Sequence, residues 1–191
     1  HALYGFCRYA DEIVDDLDST ATTDEKAAAL ARFGDDFFAG LDRGDSDHEI
    51  LKAVVHTVLV NKIDSDCFAR FLRSMTMDLT VETYETYEDL EFYMDGSAAV
   101  IGEMMLPILE PRSPEAREPA RDLGIAFQLT NFLRDINEDL DRNRQYIPQD
   151  DLRRFGVDLT ERRRTPEFVE LMKFEIDRTR ELFRSADQGL A

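Results

Sequence analysis

Proline and glycine are scarce, at 6 and 9 of 191 residues, well below the usual share of each. Long stretches therefore lack breakers, and helices are favoured. Cysteine is limited to Cys7 and Cys67. Both sit in apolar surroundings without metal-ligand spacing, and they read as small core residues in a reducing compartment. Three scattered histidines, His1, His48 and His56, make no ligand pattern either. Positive charge is also short: 23 basic residues stand against 41 acidic ones, for a net charge of −18. A chain this acidic is a poor binder of nucleic acid, because such binding needs basic groups to displace counterions. If it handles phosphates, it does so through metal ions or local arginine clusters. No run of 18 apolar residues exists and no signal peptide opens the chain, so no spanning helix is expected.

What the chain does have is 43% apolar residues, enough for one domain with a real core. Helical periodicity dominates. The pattern predicts a first helix from His1 to about Leu17, closed by "DSTAT". Thr22 with Glu25 forms a capping box before "KAAALARFGDDFFAGL". Further helices are expected over Glu49–Asn61, from Asp64 to about Thr80, and in one long run from about Glu85 to Leu109. Ser113-Pro114 is a cap followed by proline at a first helical position. Arg117 to Arg142 reads as helical, "NRQYIPQDDLRRFG" as irregular with one short turn, and a last helix follows the Thr165-Pro166 cap toward Gly189. The expectation is a single all-α domain over residues 1–191. The chain opens on His1, already inside a helical pattern, so it reads as a fragment of something longer.

Acids crowd the first helix. Successive helix residues turn by about 100°. Tyr4, Arg8, Asp11 and Asp15 then share an arc of roughly 60°. Leu3, Phe6, Ala10, Ile13, Val14 and Leu17 form a separate core face, while Glu12 and Asp16 point elsewhere. In "GIAFQLTNFLRDINEDLDR", Gln128, Asn131, Asp135 and Asp139 share an arc of roughly 80°, beside an apolar arc of Ile125, Leu129, Phe132, Leu133, Ile136 and Leu140. Arg134 lies mostly on the outer side. Carboxylates four apart on a helix project side by side and can reach one cluster of hard cations. Mg²⁺ takes a few such oxygens and completes its shell with water and phosphate oxygens. A D-x-x-x-D pattern on a helix is also the mark of a solvated face, although a purely solvated face needs neither Asn nor Gln. Spacing alone leaves both readings open.

The stretches "YGFCRYADEIVDD" and "QLTNFLRDINEDLDRNRQYIPQDDL" resemble the two aspartate-rich signatures of the squalene/phytoene synthase family. "MDLTVETYETYEDLEFYMDGSAAVIGEMMLPIL" resembles its central helices, in the same order and spacing. The resemblance implies an all-α isoprenoid-synthase fold, with helices around a central cavity, here truncated at both ends. It implies Mg²⁺-dependent head-to-head condensation of two prenyl diphosphates (Mn²⁺ as a substitute). One substrate ionises and the other's double bond attacks, giving a cyclopropylcarbinyl diphosphate that rearranges to a linear hydrocarbon. From geranylgeranyl diphosphate the product is phytoene, in carotenoid biosynthesis, without NADPH. The alternatives are a squalene or dehydrosqualene synthase using farnesyl diphosphate and, in another class, a non-catalytic scaffold homologue.

By the same resemblance, Asp11, Asp15, Asn131, Asp135 and Asp139 are metal ligands. Tyr4, Arg8, Arg134 and Arg144 hold diphosphate, and Tyr93 and Gln128 lie near the reacting carbons. Gly96, Ser97, Ala98, Ala99 and Gly102 serve either close helix packing or room for prenyl tails. Val100, Met104, Met105 and Phe127 are either core or cavity wall. Asp95 and Gly96 depart from the family pattern, where an aromatic is common, so the wall near the reacting centre is expected to differ. The arginine-rich "RRFGVDLTERRRT" reads as a solvated connection, with contact to a partner or to lipid headgroups as the alternative. The expected location is cytoplasmic, with peripheral membrane contact. The expected partners are prenyl diphosphates and downstream carotenoid enzymes, with no nucleic acid.

Overall fold

The computed structural model describes residues 1–15 and 20–190. Ten α-helices are described: α1 (Ala2–Asp15), α2 (Thr23–Arg43), α3 (Glu49–Asn61), α4 (Asp66–Met77), α5 (Tyr87–Met94), α6 (Val100–Leu109), α7 (Arg117–Arg134), α8 (Ile136–Asp141), α9 (Gln149–Phe155) and α10 (Pro166–Asp187). Among the described residues no β-strand occurs, only a single parallel bridge between Thr83 and Gln145. The all-α expectation is met. The expected end of the first helix at Leu17, and "DSTAT" up to Ser19, lie outside the described residues.

The helix starts follow capping chemistry. Glu25 N–H donates to Thr22 Oγ1 at 3.3 Å while Thr22 N–H donates to Glu25 Oε2 at 2.8 Å, so two otherwise orphaned donors are satisfied reciprocally. Thr165 caps α10 by accepting from Phe168 N–H at 3.2 Å. Ser113 caps a short 3₁₀ turn, Pro114–Ala116, that leads into α7.

The α1 core face reads as expected: Leu3, Phe6, Ala10 and Val14 are buried. Phe6 is the centre of an aromatic cluster, with ring centroids of Phe33, Phe37 and Phe68 within 4.9–5.0 Å. This cluster locks α1 onto α2 and α4. A second core joins Leu90, Met94, Ala98 and Ala99 to Ile125, Leu129, Phe132 and Tyr146. A third gathers Ile147, Leu152, Leu159 and Leu171.

Three expected spans come out differently. The long run from Glu85 to Leu109 is interrupted by one π-helical turn, Asp95–Ala99, between α5 and α6; such turns frequently mark functional sites. The run Arg117–Arg142 breaks at Asp135, whose backbone leaves helical geometry (φ −102°, ψ 13°). The supposedly irregular stretch after Asn143 contains the full helix α9. Of the small residues, Gly96 and Gly102 resolve toward packing. A Cβ at Gly96 would overlap the Arg70 carbonyl and the Ser74 hydroxyl, and one at Gly102 would overlap the Ala120 carbonyl. Val100 and Met104 are buried core, whereas Met105 and Phe127 are 37% and 57% exposed.

Candidate active site

One hollow of about 390 Å³ opens between α1, the end of α4, the π-turn region and α7. From α1 come Tyr4, Arg8, Asp11 and Asp15, each at a three- or four-residue step, which puts them on one face. Tyr93 and Ser97 come from α5 and the π turn, and Gln128 from α7. Asp78 follows α4. Arg144 and Tyr146 reach in from the segment after α8. That segment is fixed by backbone bonds to the neighbouring loop: Gln145 N–H donates to Glu82 O at 2.8 Å and Gln149 N–H to Tyr84 O at 2.9 Å.

Arg144 ties the two acidic regions together. Its Nη2 donates to Asp15 Oδ1 at 2.8 Å and to the Asp78 carbonyl at 3.3 Å. Its backbone N–H donates to the Asp139 carbonyl at 2.8 Å. Asp139 lies with Arg144, Tyr146 and Phe132 in a narrow cleft beside the hollow. On α1, Arg8 donates to Asp11 Oδ2 at 3.1 Å and to Glu12 Oε1 at 3.0 Å.

The carboxylates here carry excess negative charge. Burial, reinforced by Asp15, raises the Asp11 carboxyl above its usual range. Burial, reinforced by Asp135, pushes Asp139 up to about 6. Asp78 rises to about 7, chiefly through burial, although Tyr93 donates its hydroxyl to Asp78 Oδ2 at 3.1 Å and pulls the other way. Behind these acids stands an aromatic wall. Phe132 and Tyr146 stack with centroids 3.8 Å apart at 7°, and Tyr84 lies 5.3 Å from Tyr93. The Tyr84 hydroxyl and Ser97 Oγ are buried with no hydrogen-bond partner among the described residues.

The chain matches the Squalene/phytoene synthase family model over residues 1–191. It belongs to the squalene/phytoene synthase family. It is 36% identical to the 15-cis-phytoene synthase of Synechocystis sp. over 204 residues, which covers 99% of this chain and 59% of the relative. It is 33% identical to that of Synechococcus elongatus, with 99% and 65% covered. Among solved structures, the squalene synthase HpnC from Alicyclobacillus acidocaldarius superposes with a TM-score of 0.89 at 27% identity, covering 98% of this chain and 70% of that one. A dehydrosqualene synthase solved in complex with ligand gives 0.85 at 28%, covering 98% and 65%. The chain thus spans about three fifths of the length of the first two relatives. The fold is that of the isoprenoid synthases.

Of the site residues expected from the family signatures, Tyr4, Arg8, Asp11, Asp15, Tyr93, Gln128 and Arg144 meet in the hollow, and Asp139 adjoins it. The rest do not line it. Asn131 is exposed. Asp135 is clamped by Arg134, whose Nε and Nη2 donate at 2.7 and 2.6 Å. Arg134 itself lines a separate groove. The second acidic stripe is therefore divided: Gln128 lines the hollow and Asp139 the cleft beside it, while Asn131 and Asp135 line neither.

Sequence reasoning missed Asp78 and Tyr146 as lining residues, whereas Ser97 was among the small residues it offered for either packing or room in the cavity. Asp78 and Tyr146 do sit inside the family-like stretches, in "MDLT" and "RQYIP". Asp95, expected at the wall of the reacting centre, faces away from the hollow, into a lattice with Arg70, Arg73 and Arg121.

Among the described residues, no three His, Cys, Asp or Glu side chains converge into a cation cage. The donor set nevertheless suits Mg²⁺. It consists of hard oxygens on Asp11, Asp15 and Asp139, and burial raises the carboxyls of Asp11 and Asp139 despite the neighbouring arginines. A metal that takes one or two carboxylates and fills its shell with water and phosphate oxygens needs no closed cage.

Proposed function

We propose that the protein of which this chain is part condenses two geranylgeranyl diphosphates head to head, through a cyclopropylcarbinyl diphosphate, to phytoene. The observation that carries this reading is the bond at 2.8 Å from Arg144, in the second family-like stretch, to Asp15, in the first, which joins the two around one hollow. Relatives 32–36% identical and named phytoene synthase support the choice of product.

In this reading, Arg8 and Arg144 bind the diphosphate and Tyr4 covers it at the mouth. Asp11, Asp15 and Asp139 hold Mg²⁺ or Mn²⁺, extended by Asn131 and Asp135 at the end of α7. The metal, when bound, neutralises charge on the departing diphosphate. Tyr93, held by Asp78, and Gln128 line the place of the reacting carbons. The rings of Phe132, Tyr84, Tyr93 and Tyr146 keep water out, and their faces favour a neighbouring cation. No NADPH enters phytoene formation.

The squalene and dehydrosqualene synthases among the structural neighbours favour one other reading, with farnesyl diphosphate as substrate. Incubation of the full-length protein with each diphosphate and Mg²⁺, with and without NADPH, separates the two by product mass; no hydrocarbon under any condition defeats both. In the scaffold alternative, Asp15→Asn, Asp135→Asn and Asp139→Asn change nothing measurable; in ours each abolishes turnover.

Among the described residues no helix is long and apolar enough to cross a membrane. We assign to the protein a peripheral contact with the cytoplasmic membrane face through an apolar rim rather than through charge, because a net charge of −18 disfavours anionic lipid. Downstream carotenoid enzymes are the natural recipients of so greasy a product. Co-sedimentation with neutral liposomes that rises with salt is the expected result; none at any salt overturns the contact.

A further inference from the structure

The arginines expected to form a solvated connection instead wall a second groove, of about 380 Å³, between α8, the 3₁₀ turn Leu159–Glu161 and the start of α10. Its volume falls within the range of small-molecule sites, roughly 300–1,000 Å³. Arg162, Arg163 and Arg164 line it together with the apolar Leu159, Phe168 and Met172. Three consecutive arginines beside an apolar strip are unexpected in a chain of net charge −18.

The arginines are weakly engaged. Arg164 has no ion pair among the described residues. Arg163 reaches Glu161 only at 3.7 Å and is 74% exposed. Arg162 pairs with the exposed Asp141. Exposed pairs of this kind are easily exchanged for a better anion. The one acid in the lining, Asp158, is occupied: it accepts from Thr160 N–H at 2.8 Å and from Thr160 Oγ1 at 2.6 Å. The first turns of the long α10 present Phe168 and Met172, so the positive end of that helix adds to the same field.

We propose that this groove is a second anion site, distinct from the hollow, which takes a phosphate or diphosphate ester of a short apolar alcohol. The phosphorylated head sits on Arg162, Arg163 and Arg164, since guanidinium groups match phosphate oxygens in paired, charge-assisted hydrogen bonds. The apolar end lies on Leu159, Phe168 and Met172. The ligand is a free amphiphile rather than an anionic bilayer, because the charge of the whole chain repels an anionic surface while one local cluster still attracts a single head. Arg134 also borders the groove but is committed to Asp135 and is not counted among the ligands.

The test is calorimetric titration of the full-length protein, in EDTA, with geranyl diphosphate, inorganic diphosphate and geraniol. Without divalent metal the carboxylate-lined hollow repels a diphosphate. The expected result is one saturable site for geranyl diphosphate, with each half-molecule binding at least tenfold more weakly. Arg163→Gln/Arg164→Gln weakens that site at least tenfold. If the double variant does not fold, Arg164→Gln alone carries the comparison. Asp15→Asn leaves this metal-free binding intact, so the groove and the proposed reaction fail or stand separately. No metal-free binding, or binding indifferent to the arginine variants, overturns the proposal. So does arginine-dependent binding seen only with phosphatidylglycerol vesicles.

Discussion

The segment from Tyr93 to Glu103 faces two sets of acids, one on each side, and their environments are opposite. Tyr93 and Ser97 turn toward the hollow, where burial raises the carboxyls of Asp11 and Asp78, as it does that of Asp139 in the adjoining cleft, and the nearby arginines do not offset it. Asp95 and Glu103 turn the other way, into a lattice with Arg70, Arg117 and Arg121. There burial also pushes the carboxyls up, but the arginines outweigh it, and Asp95 falls to about 2. The difference separates structure from chemistry. Acids matched by arginines hold α4, α6 and α7 together. Acids left short of positive charge are the ones our reading gives to a cation.

Breaking the lattice gives the largest effect. Glu103 is buried and accepts from Arg117 Nε at 2.9 Å and Arg70 Nη2 at 3.0 Å. Glu103→Ala leaves Arg117 without its ion-pair partner and Arg70 and Arg121 to share Asp95, at a cost of about 3 kcal/mol, the lower end for a broken buried pair, read as a lower denaturant midpoint. The matching change in the hollow inverts the pattern. Asp15→Asn removes a half-exposed partner of Arg144 and shifts stability by less than about 1 kcal/mol. It lowers turnover by about a hundredfold or more, the scale for losing a preorganised electrostatic contact. An unfolded Asp15→Asn, or a fully stable Glu103→Ala, erases the distinction.

Between the two regions, Gly96→Ala forces a methyl into the Arg70 carbonyl. It costs about 1–3 kcal/mol as overpacking, measurable by thermal melting.

The smallest effect is one of pH, and it has opposite signs on the two sides. Asp78 titrates near 7 when folded and near 3.9 when unfolded. Between those values the folded chain binds more protons, so its contribution to stability is present at low pH and is lost as pH rises toward 7. Asp95 titrates near 2 when folded. Its contribution is present above about pH 4 and is lost as pH falls toward 2. Metal-free melting curves of Asp78→Asn are expected to lose part of the decline between about pH 4 and 7 and to keep the acid limb. An unchanged profile over that window removes Asp78 from the set of under-compensated acids.

Much of this was legible in the chain itself. Scarce breakers and helical periodicity dictated an all-α fold, because hydrogen bonding along a helix is local and capping residues such as Thr22 and Thr165 act within one turn. The angular spacing of α1 correctly separated Phe6 and Ala10 from Asp11 and Asp15, since an unbroken helix turns by a fixed step per residue. Tertiary structure decided what spacing could not. It broke the helix at Asp135, set Gln128 in the hollow and Asp139 in the cleft beside it, and clamped Asp135 to Arg134. It brought Asp78 and Tyr146 to the hollow from distant segments. It sent Asp95 into an arginine lattice whose members lie far apart in sequence. Periodicity fixes which residues share a face only as far as the helix runs; what that face meets depends on contacts between segments, which no local pattern encodes.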